Sequence, residues 1–316
     1  MSDNPHVPEP QFIFHHFDTS PFSEKVRLVF GFKQLRWRSV KVPVMLPKPD
    51  ILALTGGYRR TPVLQVGADI YCDTALICRA IEQLAPQPAL FPPAASALQQ
   101  IVAHWADTAL FWSAIPYTTQ PAGMAHLFGD SSPDYLKALA ADRAAMTAGM
   151  KRPTAADATA QLRSYLSWLA SLFADGRPFL LGAEPCIADF SAVHPLWFIR
   201  LAPALTGILE PYGALLTWYD RVTGFGHGQP EPLAPSDAIA LAATAGGHAP
   251  ADVAPGLGFE RGAQVTVCAT DYASDLVPGT LVGLSTGEVV LERRDDRAGV
   301  VHVHFPRIGY QIKKAS

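Results

Sequence analysis

The chain has 316 residues, 49% of them hydrophobic and 17% charged, enough for about two domains at roughly 150 residues each. Its 25 basic and 28 acidic residues give a formal charge of −3, so no net field favours nucleic acid. Met1 to Pro10 lacks the basic flank and apolar stretch of a secretory signal, and no later run approaches the roughly 18 apolar residues of a membrane span, which points to a cytoplasmic protein with no membrane partner.

After the proline-rich tail, Gln11 to Phe17 is apolar and aromatic enough for a buried strand. Ser20-Pro-Phe-Ser then opens a helix, with Ser20 suited to the N-cap, Pro21 to the first helical position, and Phe22, Val26, Val29 and Phe30 at helical spacing. Further strands are expected over Arg36 to Val42, Thr61 to Val66 and Ala68 to Tyr71. Next comes a helix whose apolar face is Leu76, Ile77, Ala80, Ile81 and Leu84, ending before Pro86. A small α/β domain thus spans residues 11–86.

From residue 94 to 224 the pattern is helical, with apolar stripes in Ile101 to Phe111, Leu162 to Phe173, Ile187 to Leu201 and Leu209 to Val222, and a further helix over Pro133 to Met146. Residues 225–258 are rich in Gly, Pro and Ala and read as a linker with one short helix, Ser236 to Ala245. Residues 259–316 hold five short β-like runs, Gln264 to Cys268, Thr280 to Leu284, Val289 to Arg293, Val300 to Phe305 and Tyr310 to Lys313. They read as a small all-β module, in the manner of an open barrel. Its 7 basic and 7 acidic residues give no electrostatic footprint for nucleic acid.

Chemistry concentrates in the first domain. A side chain at a helix N-terminus lies beside unpaired N–H groups and the positive end of the helix dipole, a setting that favours an anion such as a thiolate. Ser20 stands there, and two roles are open to it: capping the helix, or acting on a ligand. Asp73, followed by Thr74, is likewise either a helix cap or a binding residue.

Taken together the motifs resemble the cytosolic glutathione transferases of the serine type. Ser20-Pro-Phe-Ser23 stands where thioredoxin-like proteins carry Cys-x-x-Cys, and Arg59-Arg-Thr-Pro-Val-Leu64 matches the segment containing the family's cis-proline. Cys72-Asp-Thr-Ala75 matches the acidic and hydroxyl pair of the γ-glutamyl site, and Cys186-Ile-Ala-Asp189 resembles the capping box of the helical domain. The resemblance implies a thioredoxin-like domain followed by an all-helical domain, glutathione as co-substrate, and a homodimer. It further implies Ser20 (or Ser23, one turn on) as thiol activator, Thr61 and Pro62 at the cysteinyl part, Asp73 and Thr74 at the γ-glutamyl group, and Arg59 near the glycine carboxylate. With no cysteine at either end of Ser20–Ser23, a dithiol cycle there is excluded.

A pocket for a small hydrophobic electrophile is expected between the domains, with Phe17, Trp105, Phe111, Trp112 and Tyr117 as candidate walls; aromatics at this spacing also serve as core. No metal is expected. The four cysteines lack zinc-ligand spacing, and His302 and His304, on one face of a β run, make no metal site by themselves. The expected function is activation of glutathione for attack on an electrophile, including dehalogenase or isomerase variants. The alternative is a non-catalytic glutathione-binding or interaction protein whose β module recruits a partner.

Overall fold

The computed structural model describes residues 11–315; the N-terminal tail, on which the absence of a secretory signal was argued, lies outside them. The first domain runs β1 (Ile13–His16), α1 (Pro21–Phe32), β2 (Arg36–Lys41), α2 (Pro49–Thr55), β3 (Val63–Val66), β4 (Asp69–Cys72) and α3 (Thr74–Leu84). β1 pairs parallel with β2 and antiparallel with β3, and β3 pairs antiparallel with β4. This is a thioredoxin-like sheet.

The helical domain contains α4 (Leu98–Trp105), α5 (Phe111–Thr118), α6 (Pro121–Phe128), α7 (Pro133–Met146), α8 (Ala155–Ser171), α9 (Ile187–Arg200) and α10 (Gly213–Thr223). A π-helical turn, Ala106–Leu110, joins α4 to α5 and places Asp107 and Thr108 on the cavity described below. The expected box at the start of α9 forms: Asp189 accepts from the Cys186 N–H at 2.9 Å, and its other oxygen accepts from the Leu180 N–H and the Trp218 indole.

The remaining chain holds more than a linker and joins the expected β module to the first domain's sheet. Residues 225–258 supply β5 (Gln229–Pro232), which extends the sheet parallel to β2, and α11 (Pro235–Ala243). β6 (Gln264–Ala269), β7 (Val277–Leu284), β8 (Glu288–Asp295), β9 (Gly299–Pro306) and β10 (Tyr310–Lys314) lie where five short strands were expected. They do not stand apart. β9 pairs parallel with β4, so the strands form one ten-stranded sheet in the order β10-β6-β7-β8-β9-β4-β3-β1-β2-β5.

The reason lies in two-faced burial. Successive residues of a strand face opposite sides, and here Leu64 and Tyr71 enter the core shared with α1, α3 and the helical domain. Their neighbours Val63, Ile70 and Cys72 enter a second core made with α2 and β6–β10. The C-terminal strands cover the other face of the thioredoxin-like sheet. Removing residues 259–316 would expose that core, so the strands are part of the domain's own stability.

Candidate functional site

A cavity of about 180 Å³ opens where the two domains and the C-terminal strands meet. Thr61, Pro62, Asp73 and Thr74 line it, and the Thr61–Pro62 peptide bond is cis. Asp73 caps α3, accepting from the Ala75 N–H at 2.9 Å, with φ +74° and ψ 134°, a conformation that non-glycine residues adopt at a cost of roughly 1–3 kcal/mol. Burial pushes its carboxyl above the usual carboxylate range, against the Ala75 N–H and Arg60, which pull it down.

The opposite wall comes from α1 and the helical domain: Phe22, Lys25, Ala103, His104, Asp107, Thr108 and Ile187. Lys25 is fully buried; its ammonium donates to Asp107 at 2.6 Å and to the Thr74 hydroxyl at 3.2 Å. Asp107 also bonds His194 Nε2 at 3.0 Å and the Ser191 hydroxyl at 3.3 Å. Burial opposes the charge of both partners, but their attraction outweighs it, so the Lys25 pKa is raised and that of Asp107 lowered. Nothing in the local pattern marked Lys25, since lysine is ordinarily a surface residue. The available signal was Asp107 within the apolar Ile101 to Phe111 stripe.

The third wall comes from the β6–β7 connection (Asp271, Tyr272) and from the end of β9, the β9–β10 turn and the start of β10 (Pro306, Ile308, Gly309, Tyr310). Arg60 donates to the Asp271 carboxylate and the Tyr272 carbonyl, and its guanidinium lies 3.8 Å from the Tyr272 ring centroid. The Tyr310 hydroxyl donates to Asp73 and lies equally close, at 3.2 Å, to the Tyr58 hydroxyl. Burial raises both phenol pKa values well above the ordinary value, so these groups remain donors. These side chains help narrow the cavity below the roughly 300–1,000 Å³ usual for sites that enclose drug-sized ligands.

Other expected residues fall elsewhere. Ser20 caps α1, its oxygen accepting from the Ser23 N–H at 3.1 Å; it is 2% exposed and does not line the cavity. Ser23 is buried and also off the cavity, its hydroxyl without a partner among the described residues. Arg59 turns to Asp142 and Asp275, at 3.2 and 3.0 Å, and Arg60 takes the place on the wall.

The five aromatic candidates do not line the cavity either. Phe111 packs behind Phe22 with ring centroids 4.5 Å apart, Trp112 meets Tyr272 edge-on, and Trp105 meets Tyr165. Tyr117 donates to the Leu205 carbonyl, and the Phe17 ring lies near Lys48. Helical spacing shows which aromatics share a face but not which neighbour will cover it. The cavity aromatics are Phe22, Tyr58, Phe91, Tyr272 and Tyr310.

Residues 14–89 match the model for the glutathione S-transferase N-terminal domain, and residues 139–221 that for the glutathione S-transferase C-terminal domain. The chain is 39% identical to a solved GST-like protein from Pseudomonas syringae, with a TM-score of 0.81 over 97% of this chain and 100% of that one. The chain belongs to the glutathione S-transferase family. Two further structures share the fold: a glutathione S-transferase from Rhodospirillum rubrum F11 (22% identity, TM-score 0.51, 67% of this chain and 88% of that one) and FzlA from C. crescentus (23%, 0.51, 78% and 95%). Among curated proteins, none matches the chain. The 97% coverage by the Pseudomonas relative of this family takes in the region of β6–β10, so the likeness is not confined to the two transferase domains. Among the described residues, no helix is long and apolar enough to cross a membrane.

Proposed function

We propose that the protein is a glutathione transferase of the cytoplasm, active as a homodimer, whose cavity binds glutathione and presents its thiolate to a small electrophile. The observation that carries this reading is the meeting of Thr61, cis-Pro62, Asp73 and Thr74 on one wall of the interdomain cavity, within a family that handles glutathione. In this reading the Asp73 carboxylate takes the γ-glutamyl ammonium and Thr74 its carboxylate, while the Thr61 backbone holds the cysteinyl unit. The apolar side of the cavity, Phe22, Phe91 and Ile187, faces the electrophile.

Ser20, although it is buried and off the cavity wall, is proposed as the thiol activator, a role that requires the bound sulfur to reach the N-terminus of α1. Its oxygen is engaged with the Ser23 N–H, but its own proton is free to be donated to sulfur, and a hydrogen bond to a charged group contributes about 1.5–3 kcal/mol, or one to two pKa units of a thiol. The test uses two variants with an activated aryl chloride as electrophile. Ser20→Ala removes both cap and donor; Ser20→Asp retains a capping oxygen but cannot donate at neutral pH. Turnover is expected to fall about 10- to 100-fold in both with little change in glutathione affinity. Full turnover in Ser20→Asp would leave Ser20 as a cap alone, and failure of the wild type to bind millimolar glutathione would remove the transferase reading.

Tyr310 regulates access to Asp73 in this scheme, because its hydroxyl occupies an oxygen that the ligand ammonium needs. Tyr310→Phe is expected to tighten glutathione binding about 2- to 10-fold, the worth of one ordinary hydrogen bond, as read by calorimetry. Weaker binding would instead make Tyr310 part of the ligand's own hydrogen-bond set.

A further inference from the structure

A second cluster of reactive side chains lies at the seam between β4 and β9, among residues that do not line the cavity. Asp69 is opposite His302 in the register, and the segment following α11 brings His248 onto the same spot. Asp69 Oδ1 is 3.6 Å from His248 Nδ1 and 3.9 Å from His302 Nδ1, and one donor atom from each of the three residues falls within 4.8 Å of the others. Both Nδ1 atoms are buried without a hydrogen-bond partner among the described residues, and His302 is only 8% exposed.

The surroundings favour a cation. His302 Nε2 lies 3.6 Å from Glu292, and its Nδ1 faces Asp69 with no hydrogen-bond partner among the described residues. Asp69 is held in place by the Ala249 N–H at 2.8 Å and by His304 Nε2 at 2.9 Å, and His304 Nδ1 in turn meets Glu288 at 2.6 Å. Carboxylates behind histidines, and a histidine behind a carboxylate, are the supports that orient metal ligands. Asp69 and Glu288 bond the two nitrogens of His304, and Glu292 lies 3.6 Å from His302, so three carboxylates gather here against a single imidazole that bonds carboxylates through both nitrogens.

We propose that Asp69, His248 and His302 bind a divalent cation of the zinc type. Two imidazoles and one carboxylate are the donor set such ions accept, with solvent at the fourth position. Their separations of 3.6 and 3.9 Å exceed hydrogen-bond reach and are slightly wider than the roughly 3.3 Å edge of a tetrahedron with bonds of about 2.05 Å. The rings of His248 and His302 now stack, with centroids 3.6 Å apart and planes 11° from parallel, so binding turns His248 out of the stack to aim its lone pair at the ion. The cation then joins three segments distant in sequence: β4, which leads into Asp73, the chain following α11, and β9.

The test uses untagged full-length protein freed of metal by chelation and titrated with cobalt(II). One equivalent per chain is expected, with visible absorption of a four- or five-coordinate nitrogen and oxygen site and a Tm rise of about 3 °C or more at saturation. His248→Ala and His302→Gln are each expected to weaken cobalt binding at least 10-fold, while His126→Ala, at an exposed position, leaves it unchanged. Absence of stoichiometric binding by the wild type, or equal binding by the folded His248→Ala variant, would overturn the proposal. Neither readout depends on glutathione.

Discussion

Asp73→Asn is expected to weaken glutathione binding about 10- to 100-fold while leaving the Tm close to that of the wild type. Asparagine caps helices as well as aspartate does, so the bond to the Ala75 N–H survives. What disappears is the charge opposite the ligand ammonium, worth about 1.5–3 kcal/mol as a charge-assisted hydrogen bond. The pH dependence follows from the raised pKa of the carboxyl, whose first cause is burial. As pH falls, Asp73 is protonated before an ordinary carboxylate would be, so affinity for an ammonium ligand declines at a higher pH than an exposed carboxylate predicts. Calorimetric titration of both proteins from neutral pH downward checks this: the wild type should lose affinity on acidification while Asp73→Asn stays flat. Equal affinities at neutral pH would remove Asp73 from the ligand.

Lys25→Met is expected to destabilise the protein by about 3–5 kcal/mol, a Tm loss of about 6–12 °C, because it strands the Asp107 carboxylate opposite a methionine. Lys25→Met with Asp107→Leu should recover most of that loss, since removing both charges of a buried pair leaves neither uncompensated. The folded pKa of Asp107 is depressed, so its contribution is present above the unfolded carboxylate pKa and is lost as pH falls through the lower folded value. That of Lys25 is raised, so its contribution is present below the unfolded ammonium pKa and is lost as pH rises through the higher folded one. The pair therefore stabilises across the whole neutral range, and the gap between wild type and Lys25→Met should be flat from about pH 5 to 9 in denaturant unfolding. A single-variant loss under 1 kcal/mol would show that solvent reaches the pair. Since Lys25 joins α1 to the turn between α4 and α5 and also bonds Thr74, the same variant should loosen the cavity wall proposed to hold glutathione.

How much of this was legible depended on how local the cause was. Ser20 at an N-cap with Pro21 behind it, the alternating apolar residues of β9 and the helical stripe of α3 each carry their structure within a few residues. Helix Pro133–Met146 ends where its sequence pattern ends, capped by Ser132. The order Ser20, Thr61-Pro62, Asp73-Thr74 was enough to name the family, because a set of motifs in sequence is more specific than any one of them. The wall aromatics were not legible: Phe111 and Trp112 carry the same local pattern as Phe22, and only packing separates them.

The sequence alone determined β1–β4, α1, α3, the main helical stripes, the strands β6–β10 and the family, since these rest on periodicity, caps and short motifs. Tertiary structure decided what the last strands do. Pairing of β9 with β4 made the expected appended β module the cover of the sheet's second face. It also set Tyr310 against Asp73 and His304 against Asp69, residues 237 and 235 positions apart. No local pattern encodes such meetings, because they depend on which buried face finds which partner when the whole chain excludes water.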